Sequence, residues 1–117
     1  MRMLTCTISI LYLALGGVAA QAHAALDHAD PKVGSTAPTP PHEVSLWFTE
    51  RLEPAFSTVE VLDANGERVD DGKAQIGAAV MRVGLKPLPP GTYKVHWRAV
   101  SADSHTIEGS FSFQVGQ

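Results

Sequence analysis

The fold of this chain is decided by the stretch Thr92-Tyr93-Lys94-Val95-His96-Trp97-Arg98-Ala99-Val100. Apolar and polar residues alternate along it, and every second side chain of a β-strand points to the same face. One face of this stretch therefore carries the apolar side chains Tyr93, Val95, Trp97 and Ala99. The pattern predicts a strand that buries one face in a core and leaves the other in solvent.

Four further segments are predicted as strands from the same alternation: residues His42–Phe48, Phe56–Leu62, Ala79–Leu85 and Gly109–Val115. Turn-forming residues separate them, such as Asn65-Gly66, where a positive φ is tolerated. No segment after residue 23 has a sustained helical period. Short strands at intervals of about ten residues indicate an all-β sandwich or small barrel, and the length favours a Greek-key sandwich.

Residues 1–22 have the order of a cleaved secretory signal peptide. Arg2 precedes an apolar run, and the small residues Ala19-Ala20-Gln21-Ala22 close it. We expect cleavage after Ala22, which leaves residues 23–117 as one exported domain that begins with His23. A retained anchor is less favoured because the run is marginal for a span of about 20 apolar residues. A cut after Ala24 also fits an Ala-x-Ala site and would remove His23.

The composition of residues 23–117 excludes some functions. The one cysteine, Cys6, lies in the leader, so we expect the domain to fold without a disulfide. The net charge of the chain is −3, and it becomes −4 when Arg2 leaves with the leader. This small acidic balance argues against nucleic-acid binding, which depends on basic patches.

The ends of the predicted domain carry candidate metal ligands. An N-terminal His23 would offer two nitrogens, its α-amine and its ring Nδ1. In an extended segment, Asp103 and His105 would point to the same side. Together these residues supply three nitrogens and one carboxylate oxygen, a set that suits tetragonal Cu(II). Alone, the Asp103-Ser104-His105 motif is more typical of a polar turn than of a metal site, so the prediction depends on His23.

The chain resembles the CopC family of copper resistance proteins. The matching segments are His23–Leu26, Val44–Glu50, Pro90–His105 and Gly109–Phe113. The resemblance implies an immunoglobulin-like Greek-key β-sandwich of about seven strands. It also implies one Cu(II) per chain, with His23, Asp103 and His105 as ligands. Glu50 matches a carboxylate near that site, as an axial or outer-sphere group.

The same resemblance implies a periplasmic carrier that acts in copper resistance, homeostasis or transfer and is not an enzyme, and a monomer is the default expectation. Its implied partner is a CopD-type inner-membrane protein that takes the copper. Some family members also have a methionine-rich loop that binds Cu(I). Residues 23–117 contain one methionine, Met81, which lies in a predicted strand and is interpreted as core packing. The chain therefore resembles the members that bind only Cu(II).

Two other functions remain open. An amine and two imidazoles also form the histidine brace of copper polysaccharide monooxygenases. Such an enzyme needs an open coordination position, which Asp103 would fill. The third interpretation is a structural sandwich without a metal, because this fold serves many unrelated functions.

The remaining histidines and tryptophans have simpler interpretations. His28, His42 and His96 are interpreted as solvated side chains, with a transient copper-relay function also considered for His28. Trp97 lies on the apolar face and is predicted to anchor the core. Trp47 falls on the opposite face from Val44 and Leu46 and is predicted to be partly exposed or to form a second contact surface.

Overall fold

The computed structural model describes residues 25–116, which form eight β-strands. They are β1 (Leu26–Asp30), β2 (Thr36–Ala37), β3 (Glu43–Phe48), β4 (Thr58–Leu62), β5 (Gln75–Gly77), β6 (Val80–Gly84), β7 (Gly91–Val100) and β8 (Thr106–Val115). The predicted leader and His23 lie outside the described residues. Nothing in the 25–116 range forms a helix with the length and hydrophobicity that a membrane crossing requires.

The strands form two four-stranded sheets, in the orders β1-β3-β6-β5 and β2-β8-β7-β4. Every pair is antiparallel except β2 with β8, which is parallel. Consecutive strands repeatedly change sheet, from β3 to β4, from β4 to β5 and from β6 to β7. This arrangement confirms the prediction of an all-β sandwich.

The core lies between the inner faces of the two sheets. Its buried side chains come from the predicted alternation of β3, β7 and β8: Val44, Leu46, Phe48, Tyr93, Val95, Trp97, Ala99, Phe111, Phe113 and Val115. Burial of each large apolar side chain contributes about 1.5–3 kcal/mol. Met81 of β6 is also completely buried, which confirms that this methionine packs in the core.

The bounds of some strands differ from those predicted. Strand β4 begins at Thr58, because the Phe56 N–H donates to the Glu53 carbonyl in a turn (3.2 Å) and leaves Phe56 65% exposed. Strand β8 begins earlier than predicted, since Thr106 already pairs with Val100. The strands β1, β2 and β5 were not predicted, because two to five residues are too few for a clear alternation.

Trp97 is accommodated in the core by a glycine on the neighbouring strand. Trp97 pairs with Gly109, so both positions face the interior. A Cβ at Gly109 would overlap the Cζ2 and Cη2 atoms of Trp97. The indole also packs against Phe48 and Phe111, with ring centroids 6.0 and 6.3 Å away. Gly109 is therefore required by the volume of the tryptophan rather than by a turn.

Replacement of Gly109 by alanine should lower the free energy of unfolding by about 1–3 kcal/mol, because the closely packed Trp97 must move. Urea unfolding measures this loss. Gly84→Ala is the matched control, since its Cβ would meet only the end of the exposed Asp71 side chain, at 2.5 Å, which can rotate away. An equal loss in both variants would contradict the steric explanation.

Candidate metal centre

Asp103 and His105 lie in the short loop that joins β7 to β8. The loop is closed by backbone hydrogen bonds from the Ser101 N–H to the His105 carbonyl (2.9 Å) and from the Ser104 N–H to the Ser101 carbonyl (2.9 Å). Ser104 has a φ of 74°, in the left-handed region, which turns the chain between the two candidate ligands. The loop is thus a tight turn rather than the extended segment that the sequence argument assumed.

The turn nevertheless brings the two predicted side chains together. The Nδ1 atom of His105 lies 3.0 Å from Oδ1 of Asp103. The same oxygen accepts a hydrogen bond from the Ser101 hydroxyl and a long one from the His105 backbone N–H (3.4 Å). Both side chains are more than half exposed, so the pair opens to solvent. A carboxylate oxygen and an imidazole are therefore available at one point on the surface.

The hydrogen bonds around Asp103 hold its carboxyl group in the ionised form. The Ser101 hydroxyl, followed by the His105 ring, lowers the pKa of Asp103 from 3.8 to about 2. Hydrogen bonds to a carboxylate favour its charged form, which explains the direction of the change. Asp103 is therefore available as an anionic ligand throughout the mildly acidic and neutral range.

Residues 49–52 connect this turn to the beginning of the described chain. On one side, the main chain of Thr49 donates to the Ala25 carbonyl, and the Ala25 N–H donates to the Thr49 hydroxyl, both at 2.9 Å. On the other side, the Ala102 N–H donates to the Arg51 carbonyl at 2.9 Å. A β-bridge between Leu52 and Ser101 completes the junction. Ala25 and the turn that carries Asp103 and His105 therefore lie at the same end of the sandwich.

Glu50, the predicted outer carboxylate, lies within this connecting segment and is half-buried. Across residues 25–116, no group of three or more His, Cys, Asp or Glu side chains is arranged to hold a metal ion. The structure thus brings together two of the predicted ligands, Asp103 and His105, while His23 lies outside the described residues.

The other histidines lie away from this pair. His96 is on the outer face of β7, with Nδ1 3.5 Å from Glu60 and Nε2 3.4 Å from Glu108. His42 is exposed just before β3. His28 lies on β1 and stacks on Trp47, which is only partly buried, as predicted. This stack was not predicted, because it joins residues that are distant in sequence.

A family model of the CopC domain matches residues 26–116 of this chain. The chain belongs to the CopC family. The match includes β1, the connecting segment and the turn that carries Asp103 and His105. Of the three methionines of this CopC-family chain, Met81 alone falls in the matched range, where it is buried.

Two curated relatives match this chain over most of its length but differ in their own lengths. Copper resistance protein C of Xanthomonas campestris pv. juglandis is 33% identical over 123 residues, which cover 97% of this chain and 96% of that protein. Copper transport protein CutJ of Bacillus subtilis (strain 168) is 34% identical over 114 residues, which cover 94% of this chain and 21% of that protein. The chain therefore spans about a fifth of the length of the second relative.

Solved CopC structures have the same fold. CopC from Methylosinus trichosporium OB3b superposes with a TM-score of 0.71 at 31% identity, covering 80% of this chain and 94% of that chain. PcoC, a methionine-rich copper resistance protein from Escherichia coli, superposes with a TM-score of 0.72 at 33% identity, covering 80% of this chain and 99% of that chain.

Replacement of Ser101 by alanine should raise the pKa of Asp103 from about 2 toward 3.8, because it removes the largest cause of the lowering. A carboxyl group whose pKa is lower in the folded state than in the unfolded state stabilises the fold at pH values above its unfolded-state pKa. This stabilisation is lost as the pH falls through the folded-state pKa. The Ser101→Ala variant should therefore lose the stabilisation from Asp103 at a higher pH than the wild-type protein does. Carboxyl ¹³C NMR of the metal-free protein measures the change.

Asp70 serves as the internal reference in that titration. Its carboxylate is buried and accepts hydrogen bonds from Arg68, so its pKa should not respond to the substitution. An unchanged Asp103 titration in Ser101→Ala would show that the hydroxyl does not control this carboxyl group.

Proposed function

We propose that this CopC-family chain is an exported carrier that binds one Cu(II) ion as its cargo. The ligands are the α-amine and imidazole of His23, the carboxylate of Asp103 and the imidazole of His105. This function requires a signal peptidase cut directly before His23. The observation that carries the proposal is the Asp103–His105 pair, with its 3.0 Å separation, at the end of the sandwich where the described chain begins.

The reach of the N-terminal residues supports this ligand set. Ala25 is held at Thr49, and Thr49 is two residues from Arg51, which contacts the turn between β7 and β8. Two residues of extended chain span at most about 7 Å, so His23 precedes Ala25 by about that distance. The long imidazole adds further reach. The position of Ala25 at this end of the sandwich therefore supports an N-terminal His23 as a ligand together with Asp103 and His105.

The chemistry of the set favours copper over other first-row ions. Three nitrogens and one oxygen suit the tetragonal geometry of Cu(II), which also binds most tightly in the divalent series. The ionised state of Asp103 supplies a negative charge to offset the cation. Since Asp103 takes the fourth position, the site suits holding and release of the ion rather than catalysis at an open position.

The partner that receives or supplies the copper is proposed to be a copper transport protein of the CopD type. The relative from Bacillus subtilis supports this proposal, because a CopC-like segment forms 21% of a protein named for copper transport. The exposed turn at Asp103 and His105 allows transfer without unfolding of the sandwich.

Cu(II) titration of the mature protein tests the proposed ligands. We expect one tight equivalent with a type 2 paramagnetic resonance signal that shows nitrogen coupling. His105→Ala should weaken binding by about 100-fold or more, about 2.7 kcal/mol, because one of the four ligands is lost. His42→Ala is the matched control, since His42 is an exposed histidine outside the turn and should leave the affinity unchanged.

A chain acetylated at the α-amine of His23 tests the amine directly. It keeps the imidazole but removes the amine as a ligand, so the six-membered chelate ring of an N-terminal histidine is lost and binding should weaken about as much as in His105→Ala. Mass spectrometry of the exported protein establishes where the natural chain begins. A start at Ala25, or full affinity in either variant, would refute the ligand set.

A further inference from the structure

Strand β1 contains a β-bulge directly after Leu26. Leu26 pairs with Phe48 and His28 with Trp47, so β1 has one residue more than β3 over this interval. As a result, Leu26 and Ala29 both pack against the core, while Asp27 and His28 are both exposed. Neighbouring residues of a regular strand point to opposite faces. Bulges are frequent beside functional sites, where they redirect a side chain.

The bulge creates a second carboxylate–imidazole pair. Oδ2 of Asp27 lies 2.7 Å from Nδ1 of His28, and both side chains are about 60% exposed. A carboxylate can only accept, so Nδ1 carries the proton and donates it to this hydrogen bond. The Nε2 atom then has its lone pair free to bind a metal ion. Metal-binding histidines almost always have a carboxylate or carbonyl on their other nitrogen, which fixes the tautomer and raises the basicity of the ligand.

Trp47 holds the imidazole of His28 in one orientation. The two rings are parallel, with 4.4 Å between centroids and an interplanar angle of 7°. The guanidinium of Arg82 also lies over the indole, 5.8 Å from its centroid, and limits the movement of Trp47. His28 is thus fixed both by a hydrogen bond in its plane and by a ring against its face, although it is a surface residue.

We propose that His28 is a second, weaker binding point for Cu(II), with Nε2 as the ligand and Asp27 as its positioning residue. This proposal rests on the proposed function and extends it to the path that the ion takes. His28 on β1 follows Ala25 by three residues, about 10 Å along the chain. The ion would bind at His28 during its exchange with the site at His23, Asp103 and His105.

The charges around His28 suit a transient site. Asp27 and the exposed Asp30 on β1 attract a divalent cation, while Arg82 opposes it. One imidazole with a neighbouring carboxylate binds copper more weakly than a chelate of four ligands. Weak binding allows rapid release, which a site of transfer requires.

The experiment is a titration of the mature protein, beginning at His23, with CuCl₂ beyond one equivalent. Calorimetry should resolve a tight and a weak equivalent in the wild-type chain. The weak equivalent should disappear in His28→Ala, weaken about tenfold in Asp27→Asn, and persist in the control His42→Ala. The tight equivalent should stay within about twofold of wild type in all three variants.

Quenching of tryptophan fluorescence locates the weakly bound Cu(II) ion. The chain has two tryptophans, so Trp97→Phe leaves Trp47 as the only one. Because paramagnetic Cu(II) quenches nearby indoles and Trp47 contacts the His28 ring, the second equivalent should quench the fluorescence of this variant. The quenching should be lost when His28→Ala is added.

Three results would overturn the proposal: no weak equivalent in the wild type, a weak equivalent that survives His28→Ala, or one that is lost equally in His42→Ala. If His28→Ala weakens the tight equivalent as well, His28 only positions the N-terminal strand, and the proposal also fails. A missing tight equivalent in the wild type instead refutes the proposed function. In that case, the comparison of His28→Ala with His42→Ala still tests this inference by itself.

Discussion

The continuous pairing of β7 with β8 is the constraint on which the rest of this structure depends. Each residue from Gly91 to Val100 has a partner between Val115 and Thr106, so the two strands form one long hairpin. Its inner face supplies much of the core, including the indole of Trp97 that lies over Gly109. The end of the hairpin at Val100 and Thr106 fixes the position of the turn that carries Asp103 and His105. Stability and function are thereby linked, because the packing that sets the register of the hairpin also sets the position of the turn.

Backbone hydrogen bonds join the segments at the end of the sandwich that carries Asp103 and His105. Residues 49–52 lie between Ala25 and the turn at Ser101, and they bond to both. These backbone hydrogen bonds do not use the side chains of Asp103 and His105. Both side chains can therefore be held in position and still be exposed to solvent. Ser101, which is completely buried, contributes in two ways: its backbone bridges to Leu52, and its hydroxyl donates a hydrogen bond to Asp103.

The Asp103–His105 and Asp27–His28 pairs each join a carboxylate to an imidazole close by in sequence, and their surroundings differ. Asp103 and His105 are joined by a turn that adds the Ser101 hydroxyl, which keeps the carboxyl group ionised. Asp27 and His28 are joined by a bulge, and the imidazole is held by an aromatic ring instead. In the proposed sites, the carboxylate of the first pair is itself a ligand, whereas the carboxylate of the second pair orients the imidazole.

The sequence by itself determined the class of fold, the inner faces of β3, β7 and β8, and the proximity of Asp103 to His105. These features follow from local patterns: the two-residue period of a strand, and two ligands separated by one residue. The sequence also indicated the family, through the run that ends at His105. Only the tertiary structure decided that the turn lies beside Ala25, that Phe56 is outside a strand, and that His28 stacks on Trp47. The first and the last depend on hydrogen bonds or ring contacts between segments far apart in the chain, and the last also on a bulge that breaks the two-residue period, whereas Phe56 is held out of β4 by the turn bond to Glu53. A local pattern contains no information about such contacts, because they arise only when the two sheets pack together.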